Sequence, residues 1–294
     1  MSGLKTIRNR ISTVKSTRKI TSAMKMVSAA RLRRLQDRLI ALRPYSDKLH
    51  EVVLGLTGLP GSAACENVYC RQSSPDKILL ILSTSNRGLC GAFNQQLFRE
   101  VKRVVSELYA EQLERGSLSF IAVGKKGYEF LRRQYGNCRI EQYNHISESV
   151  DFQDVSQLGT AIMAGFREEL YDRVHLVCNS FKNAASQLIV SETFLPVSLE
   201  PVDEEAPVIT DYIYEPDRDK LIEAIIPRSI KLRLYRALLD AGTAEHGARM
   251  TAMHKATDNA GELIESLTLE YNKLRQSAVT AQILEVAGGA EALK

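Results

Sequence analysis

No run of about 18 apolar residues occurs in the 294-residue chain, so no membrane-spanning helix is expected. An apolar signal core is missing from the N-terminus as well. The basic opening stretch has the charge of a mitochondrial transit peptide, but its periodicity continues past residue 50 without a cleavage-like break, which predicts a cytosolic protein. Cysteine is scarce and scattered. Cys65, Cys70, Cys90, Cys138 and Cys178 form an odd set with no CxxC and no adjacent His, so free thiols are expected rather than a zinc site or a disulfide frame. Catalytic motifs are missing too: there is no GxSxG, no HExxH and no Walker sequence. The five His, at 50, 145, 175, 246 and 254, have no acid or Cys partner at a diagnostic spacing. These absences predict no metal, no cofactor and no enzyme in the chain's own right.

The 44 % hydrophobic and 25 % charged residues are those of an ordinary soluble globular protein. The net charge of +4 conceals a segregation. Residues 1–50 hold 13 Lys/Arg and 2 Asp/Glu, a balance of +11, whereas residues 51–216 hold 15 and 22, and residues 217–294 hold 11 of each. Such concentration on one stretch speaks of a partner. A nucleic acid is one class, since the stretch would neutralise phosphates. Against it, residues 1–50 contain only Tyr45 as an aromatic, and the acidic middle would repel a phosphate backbone.

Periodicity organises both ends. Met250, Met253, Thr257, Ala260, Ile264, Leu267, Tyr271, Leu274, Ala278 and Ala281 advance in alternating steps of three and four, the heptad seam of a left-handed coiled coil. The stretch 217–294 reads as one helix of roughly 70 residues, on the order of 105 Å long. Near the N-terminus, Leu4, Ile7, Ile11, Val14, Arg18, Thr21, Lys25, Ser28, Leu32, Leu35, Leu39, Leu42, Ser46, Leu49, Val53 and Leu56 keep the same rhythm. Two long helices at opposite termini with a body between them describe a stalk. Pro44 and Pro227 predict a bend in each helix.

The predicted organisation is an N-terminal helix over 1–58, a loop over 59–76, an α/β domain over 77–200, a linker over 201–216 and a C-terminal helix over 217–294. Ile78–Leu82 is a continuous apolar run, as in a buried parallel strand. Helices are expected over Ala92–Leu113, Lys125–Tyr135 and Val155–Tyr171, and strands over Phe120–Val123, Cys138–Tyr143, Val174–Ser180 and, antiparallel or at an edge, Gln187–Pro196. The fold class is therefore α/β, an antiparallel coiled coil of terminal helices with a small central Rossmann-like domain. The glycine-bearing turn Ser83–Gly91 between strand and helix has the outline of a phosphate-binding loop. It lacks both GxGxxG and GK[ST], so a small nucleotide-binding enzyme is the weaker alternative.

Three segments carry a resemblance. The opening "TIRNRISTVKSTRKITSAMKMVSAARLRR", the turn "NRGLCGAFN" at Asn86–Asn94 and the stretch "ARMTAMHKATDNAGELIESLTLEYNKLRQSAVTAQILEVAGGA" from Ala248 to Ala290 resemble the γ subunit of rotary ATP synthases. The resemblance spans the chain and implies a central rotor shaft. Its implied partners are the α and β subunits of a hexamer, the ε subunit and a membrane-embedded c-subunit ring, the membrane being touched only through that ring. By position it implies contacts with β at Arg275 and Gln276, a neighbouring polar contact at Arg249, and a face toward the β lever at Met24. The basic collar Arg31, Arg33, Arg34 with Arg38, and Arg87 in the turn, would meet acidic groups on β. The family usually has Asp where Asn86 stands, which removes any ion pair made by that Asp. Chloroplast members carry an inserted cysteine pair; no such insert appears here. The implied location is the cytoplasmic face of a bacterial inner membrane.

Overall fold

The computed structural model describes residues 2–57, 67–71, 74–183, 186–197, 215 and 217–291. Most of the expected loop at 59–76, Cys65 within it, and the expected linker at 201–216 save Glu215 lie outside the described residues. The elements are α1 (Ser2–Thr57), β1 (Ile78–Ser83), α2 (Phe93–Leu108), α3 (Ala110–Glu114), β2 (Leu118–Val123), α4 (Lys125–Gln134), β3 (Arg139–Gln142), α5 (Asn144–Glu148), α6 (Phe152–Arg167), β4 (Arg173–Phe181), β5 (Gln187–Leu195) and α7 (Arg218–Glu291). A short 3₁₀ turn covers Val68–Cys70. Pro44 and Pro227 both lie within continuous helix. Contacts divide the chain into a unit of residues 1–29 with 249–294 and a unit of residues 30–248. The division falls inside the two long helices, because residues 30–57 and 218–248 pack with the sheet.

In the first, helical unit, the start of α1 and the end of α7 pair antiparallel. The Thr257 hydroxyl donates to the Thr21 hydroxyl at 2.8 Å, and a Cβ at Gly261 would lie 3.8 Å from the Arg18 guanidinium carbon. Ile7, Ser28, Met253, Ala260 and Leu267 are buried along the seam. Arg18 holds a seam position in the sequence yet is exposed. Its facing residue Gly261 offers no side chain, so the guanidinium stays in water. From the Thr21–Thr257 register, equal helical rise places Ser2 opposite a position near 276. Beyond that point α7 has no facing turn of α1 within this unit. Val279, Ile283, Leu284 and Val286 are accordingly exposed.

The second unit is built on a five-stranded sheet of order β3-β2-β1-β4-β5. β1 pairs in parallel with β2 and β4, and β2 in parallel with β3. β5 is antiparallel to β4 and forms an edge. Alternation along β1 sends Ile78, Leu80 and Leu82 to one face, where they meet Leu97, Val101 and Val104 of α2 and Phe130 and Leu131 of α4. Leu79 and Ile81 face the other side, against Leu158, Ile162 and Phe166 of α6 and a row on α7: Ile222, Ile226, Ile230, Leu234 and Leu238. With helices on both faces, every β1 side chain is buried, which is why that strand reads as unbroken apolar sequence.

Two expected helices differ in extent. The single helix expected over Ala92–Leu113 breaks at Tyr109, whose φ of −133° leaves the helical region. The buried Tyr109 ring turns inward, and its hydroxyl lies 3.1 Å from His175 Nδ1. The helix expected to reach Tyr171 stops at Arg167, because Glu169 adopts φ +58° and Leu170 N–H donates back to Gly165 O at 2.9 Å. Tyr171 then folds over Gly165, where a Cβ would lie 2.8 Å from the ring.

Candidate functional site

The turn after β1 lies at the carboxyl end of the parallel sheet. There the connections from β1 run outward to β2 and those reaching β4 lie on the other side, the place where open α/β sheets take ligands. Hydrogen bonds tie it to the starts of α2 and α4. Ser85 N–H donates to Asn94 Oδ1 at 3.2 Å, Gly127 N–H to Thr84 Oγ1 at 2.8 Å, Lys125 N–H to Asn86 Oδ1 at 2.8 Å and Lys126 N–H to Ser85 O at 3.1 Å. Asn94 Nδ2 also donates to Ser85 Oγ at 2.7 Å. The crevice itself is occupied by α7: Leu238, Ala241, Gly242 and Glu245 close it to a cavity of about 10 Å³, lined also by Ser83, Thr84 and Ser147. That space holds one water at most. The crevice behind the turn leaves no room for a phosphate.

Asn86 uses both ends of its side-chain amide. Its Nδ2 donates to Asn144 O at 2.9 Å while Oδ1 accepts from Lys125. A carboxylate could do only the second. Asn86→Ala should lower stability by about 1–1.5 kcal/mol, read from urea midpoints, since it removes both bonds from a half-buried site. An unchanged midpoint would show that the bridge to α5 is dispensable.

The contact residues expected from the sequence fall in both units. In the helical unit, Met24 is half-buried, Arg275 and Gln276 are exposed, and Arg249 is only 7 % exposed and engaged in the chain's own structure. Arg275 and Gln276 lie where the paired part of α7 ends. In the α/β unit, Arg31, Arg33 and Arg34 project from α1 into solvent. Their neighbour Arg38, also exposed, donates to Val150 O at 3.3 Å. Arg87 and Gly88 are exposed at the turn beside Leu89, a non-glycine residue at φ +64° whose side chain is 62 % exposed. A bulky residue held at positive φ with its side chain in water is a strained presentation.

A buried polar chain escaped the sequence reading. His175, 4 % exposed, sits between the Tyr109 hydroxyl and Ser191 Oγ, which lies 2.9 Å from Nε2. Burial, with Arg173 adding, brings its pKa down to about 4, against the weaker opposing pull of Glu100 and Glu192. The unfolded chain therefore binds the proton more readily, and stability should fall as pH drops from about 6.5 to about 4. The loss should be no more than about 3 kcal/mol. Denaturant midpoints across that window should slope more steeply for wild type than for His175→Gln; parallel slopes would contradict the assignment. Nothing in local spacing links residues 109, 175 and 191. Cys90, Cys138 and Cys178 are free thiols. Burial, with Glu192 and Asp240 adding, pushes the Cys178 thiol up to about 12, so it carries no thiolate at neutral pH.

Comparison with known proteins follows the same outline. Residues 3–293 match the family described as ATP synthase. The ATP synthase gamma chain of Flavobacterium psychrophilum is 45 % identical over 296 residues, covering 100 % of both chains. That of Geobacter sp. is 40 % identical over 294 residues with the same coverage. Among solved structures, a chain of the Euglena gracilis mitochondrial ATP synthase (OSCP/F1/c-ring, rotational state 3) is similar with a TM-score of 0.69 at 19 % identity, over 99 % of this chain and 95 % of that one. A chain of the Tetrahymena thermophila central stalk/c-ring structure gives 0.58 at 24 % identity, over 81 % and 99 %. At those identities the structures speak for the fold. The end-to-end family match and the full-length relatives place the chain in the ATP synthase gamma-chain family.

Proposed function

We propose that the chain works as the non-catalytic central-stalk rotor subunit of a proton-translocating F-type ATP synthase. It couples proton flow through a c-subunit ring to conformational changes in catalytic β subunits, within a hexamer of α and β and beside ε. The observation that carries this is full-length kinship with ATP synthase gamma chains. The geometry supports it in three ways. The ligand crevice of the sheet is filled by the chain's own helix, which accords with a body that carries load rather than turns over substrate. The end of α7 is an unpaired helix with Val279, Ile283, Leu284 and Val286 exposed, suited to turning in an apolar bearing with few hydrogen bonds to break. Arg31, Arg33 and Arg34 are exposed cations on a helix that carries most of the chain's excess positive charge.

A shaft has to bias its surroundings at each angle and bind tightly at none. Exposed arginines meeting acidic levers on β give screened, exchangeable ion pairs of about 0–1 kcal/mol each. We assign that role to Arg31, Arg33, Arg34 and Arg87. Arg275 and Gln276 would hydrogen-bond a β loop at certain angles, Arg249 would make a neighbouring polar contact, and Met24 offers a thioether suited to sliding contact. The location that goes with this reading is the cytoplasmic face of a bacterial inner membrane, in keeping with bacterial relatives. Co-expression with cognate α and β subunits, then gel filtration and an ATPase assay, tests it. One copy of the chain per three of each partner, with turnover lost when the chain is omitted, is expected. Failure to co-assemble would overturn the reading.

A further inference from the structure

In the helical unit, α1 and α7 border a groove of about 560 Å³ that involves none of the contact residues assigned above. The volume lies within the range of about 300–1,000 Å³ found for sites of small organic ligands. Lys15, Arg18 and Lys19 line it together. Their spacing of three and four places them on one helix face. Ala23, Met26 and Ile264 supply an apolar strip beside them. Met26 is 65 % exposed, an apolar side chain left in water at the groove.

The positive charge here enters no ion pair among the described residues, with Glu262 and Glu265 of α7 exposed nearby. The first carboxylate side chain in the sequence is Asp37, so α1 brings no acid to the groove. On α7, Asp258 lies 3.1 Å from His254 instead, and no ion pair engages Lys15, Arg18 or Lys19 among the described residues. Three unpaired cations beside an apolar strip complement one kind of molecule, with an anionic head and an apolar body. We infer that the groove binds a free, single-chain amphiphilic organic anion of the fatty-carboxylate class. The head sits among Lys15, Arg18 and Lys19, where a guanidinium gives a carboxylate two parallel hydrogen bonds. The tail lies along Ala23, Met26 and Ile264.

Titration of the full chain with cis-parinarate, a fluorescent polyene carboxylate, tests this beside its uncharged methyl ester. One molecule per chain is expected, with the carboxylate bound at least tenfold tighter than the ester. The variant Lys15→Ala/Lys19→Ala should weaken binding at least tenfold with helicity by circular dichroism unchanged. Lys5→Ala/Arg10→Ala, which removes equal charge from α1 outside the groove, should change it less than twofold. Equal binding of acid and ester, equal loss in the two double variants, or uptake of many molecules per chain would overturn the assignment. So would failure of the carboxylate to bind where an acidic amphipathic peptide binds, which would make the groove a polypeptide site.

Discussion

Gly124→Val should strip the α/β unit of most of its stability. Gly124 has φ +112°, a conformation that L side chains rarely adopt. Any Cβ there would sit 2.8 Å from the Thr84 carbonyl carbon and closer still to its oxygen. Thr84 cannot yield, because it is buried and tied at three points. Its N–H donates to Val123 O at 2.8 Å, its Oγ1 accepts from Gly127 N–H at 2.8 Å, and its carbonyl accepts from Ser147 Oγ at 3.1 Å. Backbone strain of about 1–3 kcal/mol and overpacking of about 1–3 kcal/mol act together. The expected loss of roughly 4 kcal/mol takes most of the margin of an ordinary domain. Urea denaturation of soluble protein should show it, with Gly124→Ala also destabilised because the Cβ is the same. A valine variant with a midpoint shifted by less than the equivalent of about 0.5 kcal/mol would sink the claim that this turn is rigidly packed.

Leu234→Asp should be comparably severe. Leu234 is fully buried on the face of α7 that meets the sheet. On α6, Gly159 leaves room for it: a Cβ there would lie 3.8 Å from Leu234 Cδ2. A carboxylate in that place is cut off from water, so a loss of at least about 4 kcal/mol is expected. Leu234→Met, which keeps volume and polarity, should cost less than about 1.5 kcal/mol. The same Leu→Asp change at Leu269, which is 73 % exposed, should alter stability by no more than about 0.5 kcal/mol. Equal effects at 234 and 269 in thermal unfolding would contradict the division of α7 into a segment built into the sheet's core and a segment presented to partners.

That division shows what the sequence makes readable. The three-four rhythm of 250–281 is a local pattern with a single geometric meaning, and the seam was legible from it up to Ala278. The row Ile222, Ile226, Ile230, Leu234, Leu238 steps by four instead, a ridge suited to packing on a broad surface. The change of step is visible in the sequence, but the surface it meets is not, since that depends on the strand order β3-β2-β1-β4-β5. The strands themselves were legible because apolar runs such as Ile78–Leu82 sit between turn residues. The interior of the candidate site was not. Thr84 is an ordinary residue in a turn until Gly124 and Gly127 are brought against it across 40 positions or more of sequence. Tyr109 breaks a helix to reach a histidine 66 residues away. The exposed arginines were legible as excess charge, whereas Arg249 was expected as a contact like Arg275 and is buried by packing that spacing does not record.

The claim that the chain is a turning element is tested most directly by watching it turn. The assembled complex with cognate α and β subunits would be fixed through β, and a bead attached at a cysteine introduced in place of the exposed Glu114. The account predicts that the bead rotates in one direction when ATP is added and stops when ATP is removed. A complex that hydrolyses ATP while the bead stays still would contradict it.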